Sequence, residues 1–290
     1  MKIGVVYPQT EYSTDPGAIR DFAQTAEELG FAHILTYDHI LGANPDRPGG
    51  WRGPYTLEDT FMSPFLLFTY MAAYTSQIEF VTGIIILPQR ETALVAKQAA
   101  VLDVLSGGRL KLGIGTGWNA VEYTALKQDF HTRGRRVEEQ IALLRELWTK
   151  PLVNFEGEWH SIPDAGLNPL PMQRPIPIWL GGHADAVLQR VARMGDGWIP
   201  FHRKPADARP ILETLDGYLA AAGRSREDID LQMRLYDPSN DPAKWAALAE
   251  EFRTLGATYL AFNTMGYGYD SDKDHLDAIR RFATAVGLST

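Results

Sequence analysis

Cysteine is absent from this sequence of 290 residues. The chain therefore has no disulfide framework, no thiolate nucleophile and no cysteine-based metal site. An excess of positive charge is absent too, because 36 acidic residues outnumber 28 lysines and arginines and give a formal net charge of −8. A surface of this sign disfavours nucleic acids and anionic membranes as partners.

Long hydrophobic runs are also lacking. The most apolar stretch, Phe61 to Tyr74, is too short to span a bilayer and contains Pro64. The first residues, Lys2 to Tyr7, already form a strand pattern, and no signal-peptide pattern precedes them. We therefore expect a cytoplasmic protein that acts on a small molecule.

What the sequence does contain is a regular alternation of strand and helix patterns. The stretch from Phe80 to Trp118 shows one unit of it: the apolar run Ile84 to Leu87, a helical pattern over Glu91 to Leu105, and a strand that begins at Leu110. An unbroken β-branched run suits a strand covered on both faces. About eight such strands predict an α/β fold, a closed (β/α)8 TIM barrel, and a doubly wound open sheet is the alternative.

Two segments interrupt the alternation. The Gly- and Pro-rich loop from Gly42 to Thr56 carries Trp51, and loops of this length in a compact domain are usually functional or disordered, so we interpret it as a lid. The segment from Pro151 to Pro175 is rich in proline and contains a hairpin pattern over Phe155 to Trp159. We therefore predict one domain, residues 1–290, with an insertion segment at about 151–175.

In a barrel of this type the functional groups lie at the C-terminal ends of the strands. Asp38 and His39 follow the second predicted strand, where a carboxylate and an imidazole could carry out proton transfer. An aspartate that caps the loop and a histidine that fills space are the structural alternative, and the pair by itself does not decide between them.

Glycines mark two other strand ends. Gly181-Gly182-His183 follows a strand and opens a helix, which suits a phosphate site, although a tight turn also needs glycine. Gly113, Gly115 and Gly117 lack the G-x-G-x-x-G spacing of a dinucleotide fingerprint, because Trp118 occupies the position of the third glycine in that motif. They serve either a crowded barrel interior or the approach of a flat cofactor.

Metal binding is not indicated by the histidines outside these motifs, which show no metal-ligand spacing. Packed or solvated roles are expected for all of them: His33, His131, His160, His202 and His275.

Several motifs together give the chain a family resemblance. It resembles the luciferase-like monooxygenase superfamily, the bacterial-luciferase type of flavin and deazaflavin enzymes, along nearly its whole length. The motifs are Tyr37-Asp38-His39, the run ILPQRETALVAKQAAVLDVLSGGRLKLGIGTGW, Glu122 with Arg133-Gly134-Arg135, PIPIWLGG, and Gly195-Asp196-Gly197-Trp198. The resemblance implies a (β/α)8 barrel with an insertion region.

The resemblance also implies a flavin-type cofactor at the strand ends. Its ring is expected against a bulge on the third strand at Gly83-Ile84, often with a non-prolyl cis peptide. The cofactor phosphate is expected at Thr116, Gly117, Arg133 and the Gly181-Gly182-His183 turn. Asp38 and Trp118 are expected beside the cofactor, and the substrate pocket is expected to include Tyr7, Trp51, Trp118 and Tyr236.

Two cofactors are compatible with the family. The compact length and the Asp38-His39 pair favour the deazaflavin coenzyme F420, and FMN is the alternative. The resemblance then implies hydride transfer between F420 and a small organic substrate, with His39 exchanging a proton and Asp38 orienting or hydrogen-bonding nearby, in a homodimer. Sugar-phosphate dehydrogenases of that group carry a glutamate where this chain has Trp118, which argues for an apolar or planar substrate. An FMN-dependent monooxygenase and a non-catalytic ligand-binding barrel remain the alternatives.

Overall fold

The computed structural model describes residues 1–201 and 204–288. His202 lies outside the described residues, so its predicted role is not assessed. The strands in chain order are β1 Lys2–Val6, β2 His33–Thr36, β3 Glu79–Thr82, β4 Ile85–Ile86, β5 Leu110–Gly115, β6 Val153–Glu156, β7 Ser161–Ala165, β8 Ile178–Gly181, β9 Gly197–Ile199, β10 Asp230–Leu235 and β11 Tyr259–Phe262. The helices are α1 Pro16–Glu28, α2 Pro64–Ala72, α3 Thr92–Ser106, α4 Ala120–Ala125, α5 Arg133–Thr149, α6 Asp185–Met194, α7 Pro205–Ala221, α8 Pro242–Thr254 and α9 Asp272–Ala285.

Parallel pairing closes these strands into a barrel. The order β3-β2-β1-β11-β10-β9-β8-β5-β4 returns on itself, because β5 pairs with both β3 and β4. β3 and β4 are thus two pieces of one barrel strand, and the part of the chain that the structure describes forms an eight-stranded (β/α)8 barrel. The closed barrel is confirmed over the open sheet.

The break within this strand corrects one sequence-based boundary. The run Ile84 to Leu87 was expected to form the strand, but the strand begins earlier, at Glu79, and only Ile85 and Ile86 of the run are in β4. Leu87 already belongs to a 3-10 turn that ends at Gln89. The apolar run marks the buried continuation of the strand and not its start.

Alternation along the strands separates two apolar layers. Inward residues such as Val6, Leu35 and Ile199 form a small cluster inside the barrel. Outward neighbours such as Val5 and Ile34 join the large core between the barrel and its helices. The period of two in strand side chains produces this division.

The glycines of β5 admit other residues into the barrel interior. A Cβ on Gly113 would lie 1.9 Å from the Thr82 carbonyl oxygen, and a Cβ on Gly115 would lie 1.9 Å from Ile84 Cδ1. No real side chain tolerates such distances. The crowded interior therefore accounts for Gly113 and Gly115.

Helix and insertion boundaries also differ in places from the sequence patterns. α2 begins at Pro64, where proline occupies the first turn. A short helix, α4, follows Asn119 where no helix was expected. Within the segment 151–175, β6 and β7 pair antiparallel around residues 157–160, which confirms the predicted hairpin. None of the helices in the described ranges has the length and apolarity needed to cross a membrane.

We predict that Gly113→Ala destabilises the fold, because the new methyl group would meet a backbone carbonyl that side-chain movement cannot relieve. Overpacking of this kind typically costs about 1–3 kcal/mol. Gly217→Ala is the matched control, since a Cβ at that position in α7 has no neighbour within 4 Å and alanine favours a helix by up to about 1 kcal/mol. Urea unfolding of both variants measures the difference. Equal stabilities for the two variants would contradict the crowded interior.

Candidate active site

The break at Gly83-Ile84 lies where three strand ends meet. The peptide bond between these residues is cis, as the resemblance led us to expect. The Ile84 side chain extends into the barrel mouth and occupies the space above Gly115 and Gly181, each of which would otherwise place a Cβ within 3 Å of it. Ile84 also packs against the interior cluster that contains Tyr37. It therefore forms part of the floor of the mouth.

Asp38 is buried beside this floor and forms an ion pair with Arg90. Arg90 Nη2 donates to both Asp38 carboxylate oxygens, at 2.8 and 2.9 Å, and the Ile86 N–H donates to Oδ2 at 3.4 Å. Burial raises the pKa of Asp38, and the Arg90 guanidinium and the Ile86 N–H oppose that rise. Asp38 thus anchors the turn that follows β4.

His39 is held by a different carboxylate from the expected one. Its Nδ1 lies 3.3 Å from Glu122 Oε1, and the same oxygen accepts from the backbone N–H groups of Ile40 and Leu41, at 2.8 and 3.2 Å. Of the two expected roles of Asp38, orienting His39 or hydrogen-bonding nearby, the structure shows a hydrogen-bonded Asp38 whose partner is Arg90, while Glu122 is the carboxylate that contacts His39. Since a carboxylate accepts a hydrogen bond from Nδ1–H, Nε2 is the ring nitrogen left for chemistry.

Glu122 is ionised in this setting although its side chain is only 1% exposed. Burial raises its pKa, but hydrogen bonds from His39, Gln89 and the Ile40 N–H together lower the pKa below its usual range. Gln89 and Arg90 are neighbours on one turn, so this turn supplies a donor to each of the two buried carboxylates.

Glu122 was named only as a family motif and not as a site residue. It lies on α4, the short helix that the sequence patterns did not predict. Asn119 caps that helix by accepting from the Val121 N–H at 3.0 Å, and a cap residue followed three positions later by glutamate is a known helix-start pattern. That signal was present, and it would have placed Glu122 next to a strand end.

Aromatic side chains surround His39. The rings of Phe61, Tyr55 and Trp118 have centroids 4.7, 5.2 and 5.7 Å from the imidazole. Trp51 lies 5.7 Å from Trp118, and its Nε1 donates to the Tyr55 carbonyl oxygen at 2.7 Å. The loop from Gly42 to Thr56 therefore lies against the strand end that carries Trp118, with Trp118 still 43% exposed.

Thr116 and Arg133 are connected through a chain of aromatic contacts. Tyr123 donates its hydroxyl to the Thr116 carbonyl oxygen at 2.6 Å, and its ring meets Phe130 edge-on. The Arg133 guanidinium lies 3.6 Å from the Phe130 ring centroid. Its Nε is buried with no hydrogen-bond partner. Gly117, one residue past Thr116, has φ of 66° and lets the chain turn past Ile86.

The turn Gly181-Gly182-His183 lies beside Thr116 because β5 pairs with β8, Ile114 opposite Leu180. Gly182 has φ of 122°, which side chains rarely adopt, and His183 is exposed. Ala184 precedes α6 and has no side-chain acceptor, so no side chain caps the first N–H groups of this helix. Such N–H groups suit an anion.

The two predicted pocket tyrosines lie in different environments. Tyr7 is 1% exposed, and its ring packs on Tyr12 and on Phe22 of α1. Its assignment to the substrate pocket is wrong, because Val6 points into the barrel and the next residue must point outward. Tyr236 remains at the strand end, where its hydroxyl donates to the Gly266 carbonyl oxygen at 3.2 Å.

The described residues contain no cluster of metal-binding side chains. Within residues 1–201 and 204–288, no three His, Asp or Glu side chains converge on a point that could hold a metal ion.

Fold and site together define a (β/α)8 barrel with polar and aromatic side chains gathered at the C-terminal strand ends. The family model described as luciferase-like monooxygenase matches residues 1–262. The chain belongs to the luciferase-like monooxygenase family.

Sequence relatives span most of the chain. An uncharacterized protein from Mycobacterium tuberculosis H37Rv is 35% identical over 228 residues, 77% of this chain and 76% of the relative. An F420-dependent glucose-6-phosphate dehydrogenase from Kineococcus radiotolerans is 32% identical over 263 residues, 86% of this chain and 74% of the relative.

Solved structures share the fold. A monooxygenase from Streptomyces bottropensis aligns with a TM-score of 0.78 and 20% identity, over 99% of this chain and 98% of that one. An F420-dependent secondary alcohol dehydrogenase aligns with a TM-score of 0.76 and 16% identity, over 98% of each chain. At these identities the likeness concerns the fold alone.

We predict that Glu122→Gln destabilises the protein at neutral pH by about 1–3 kcal/mol, the usual cost of disturbing a buried charged hydrogen-bond acceptor. Because the folded state lowers the pKa of Glu122, its carboxylate stabilises the fold above the unfolded pKa of about 4.3 and loses that effect as pH falls below it. The difference in unfolding free energy between Glu122→Gln and the native protein, measured by urea unfolding, should therefore become smaller from pH 7 to pH 3.5.

The exposed Glu158, which pairs with Arg135 on the surface, provides the control. Glu158→Gln should change stability by less than about 0.5 kcal/mol. If the difference in unfolding free energy between Glu122→Gln and the native protein stays constant with pH, the charge of Glu122 does not stabilise the fold.

Proposed function

We propose that this protein is an F420-dependent oxidoreductase that transfers a hydride between the deazaflavin and a small organic substrate. The observation that carries the proposal is the pair of a partly buried His39 and a buried Glu122 at a strand end, beside the Gly83-Ile84 floor and the aromatic wall. A histidine with one nitrogen fixed by a carboxylate and the other free is suited to proton transfer. A barrel that only binds a ligand has no need of this arrangement.

The strand ends fit a flavin-type cofactor with a phosphate. The uncapped N-terminus of α6 and the unpartnered Arg133 Nε supply donors suited to phosphate oxygens, whereas the N–H of Gly182 already donates to the Ile199 carbonyl oxygen at 3.2 Å. Gly83 and Ile84 offer an apolar surface to a flat ring. When bound, a deazaflavin supplies two-electron hydride chemistry, for which the protein provides binding and orientation.

In this arrangement His39 exchanges a proton with the substrate while Glu122 holds its ring. Glu122 holds the ring through Nδ1, and its own position is fixed by hydrogen bonds from the Gln89 side chain and the Ile40 N–H. Asp38 acts indirectly: by fixing Arg90 it holds the turn that brings Gln89 to Glu122. The two carboxylates therefore have separate tasks.

The loop from Gly42 to Thr56 acts as the lid over this site. Trp51 is its contact with the strand ends, and the exposed part of Trp118 faces the same opening. Closure of such a loop excludes water from a reacting site. The same two indole rings favour an apolar or planar substrate body.

Deazaflavin is favoured over FMN by the sequence relatives. Two relatives, at 30% and 32% identity and covering 84% and 86% of this chain, are named F420-dependent glucose-6-phosphate dehydrogenases. Glucose 6-phosphate itself is disfavoured by Trp118, which offers an indole where the sugar-phosphate enzymes of the family carry an acid.

We predict that the apo-protein binds F420 with submicromolar affinity and FMN at least tenfold more weakly. Titration of both cofactors, followed by their own fluorescence, measures the two affinities. Submicromolar FMN binding together with NAD(P)H-dependent oxygen consumption would instead identify a monooxygenase. Binding of neither cofactor would favour the non-catalytic barrel.

We also predict opposite effects for two substitutions. His39→Ala should lower turnover by about 10²–10⁴-fold, the typical contribution of a general acid-base, and leave F420 affinity within about twofold. Arg133→Ala should weaken F420 binding and leave turnover at saturating cofactor nearly unchanged. Full turnover in His39→Ala would show that this histidine is structural.

A further inference from the structure

Arg234 places a positive charge inside the barrel mouth. It lies on β10 between Met233 and Leu235, which point outward into the large core, so its own side chain points inward. Arg234 Nη1 donates to the Tyr37 hydroxyl at 2.9 Å, and the guanidinium lies 5.5 Å from the Tyr37 ring centroid and 5.1 Å from that of Phe201. Tyr37 belongs to the interior cluster on which Ile84 packs.

The guanidinium of Arg234 has no carboxylate partner among the described residues. No acidic side chain of the described ranges lies within the 4 Å of Arg234 that an ion pair requires, and its buried Nε has no hydrogen-bond partner. The two acidic groups at the mouth are already bound, Asp38 by Arg90 and Glu122 by His39 and Gln89. A partly buried charge without a counter-charge is costly, so a ligand that brings a negative charge would be stabilised there.

We propose that Arg234 binds a carboxylate of the substrate and thereby selects for acidic substrates. This inference rests on the proposed function, in that the substrate binds at the strand ends above Ile84. The planar fork of a guanidinium matches a carboxylate, and one arginine matches its single negative charge. Together with Trp118 and Trp51, Arg234 defines a substrate with a flat apolar body and an acid group at one end.

The position of Arg234 separates it from the expected cofactor phosphate. β10 is the seventh strand of the barrel and stands opposite the third strand, which carries Gly83-Ile84. The phosphate donors lie at the ends of the fourth and fifth strands, β5 and β8. A ligand carboxylate at Arg234 would therefore lie across the barrel mouth from Gly83-Ile84. This position suits a substrate and is separate from the expected position of the cofactor phosphate.

Benzoate and its neutral isostere benzamide test this directly. We would titrate each into the F420-saturated protein at constant ionic strength, and follow the quenching of tryptophan fluorescence. Benzoate should bind about tenfold to a hundredfold more tightly than benzamide, as one charge-assisted contact provides. Arg234→Gln should abolish that preference, and Arg234→Lys, which keeps the charge, should retain part of it.

Other results would overturn the assignment. Equal binding of the two probes, binding of neither, or a preference that survives in Arg234→Gln would each exclude a carboxylate site at Arg234. Phenyl phosphate binding tenfold more tightly than benzoate would assign the position to phosphate esters. A tenfold loss of F420 affinity in Arg234→Gln would assign the arginine to the cofactor. The F420 titration tests the proposed function by itself, so failure of the two ideas can be told apart.

Discussion

The contact of Ile84 with the glycines of the neighbouring strands determines the shape of the barrel mouth. β3 ends at Thr82, the chain steps inward at Gly83-Ile84, and β4 resumes the same pairing with β5. That step is possible only because Gly115 and Gly181 leave the space that the Ile84 side chain fills. The Ile84 side chain thus occupies the space that Cβ atoms at Gly115 and Gly181 would need, and it forms the floor of the mouth.

The two buried carboxylates of the site are arranged around the turn that follows this step. Gln89 and Arg90 leave β4 through a 3-10 turn and reach the two buried carboxylates, Glu122 and Asp38. Each carboxylate is satisfied by several donors, which is the condition under which a buried charge is tolerated. Arg234 departs from this pattern, since its charge has no acidic partner within the described ranges. Within one site, then, the paired charges hold the structure, and Arg234 is the charge that we propose to be available to a substrate.

The sequence was informative wherever one local pattern determines one structure. Alternating strands and helices predicted the barrel, whereas the irregular position at Gly83-Ile84 on the third strand was expected only from the family resemblance. The same reasoning failed where a residue's role depends on the far side of the fold. His39 follows Asp38 in sequence, yet its partner is Glu122, 83 residues later, and no local pattern reports that distance. Tyr7 was misplaced because a strand end was assumed to point into the mouth, whereas the alternation set by Val6 turns it outward.

The central claim, that a deazaflavin ring lies on the Gly83-Ile84 floor beside His39, is tested most directly by a crystal structure of the complex with F420. We expect the ring against Gly83 and Ile84 and the phosphate at Thr116, Gly182 and Arg133, with His39 Nε2 facing the substrate space. A complex in which the ring lies outside the barrel mouth, or in which His39 is turned away from it, would contradict the assignment.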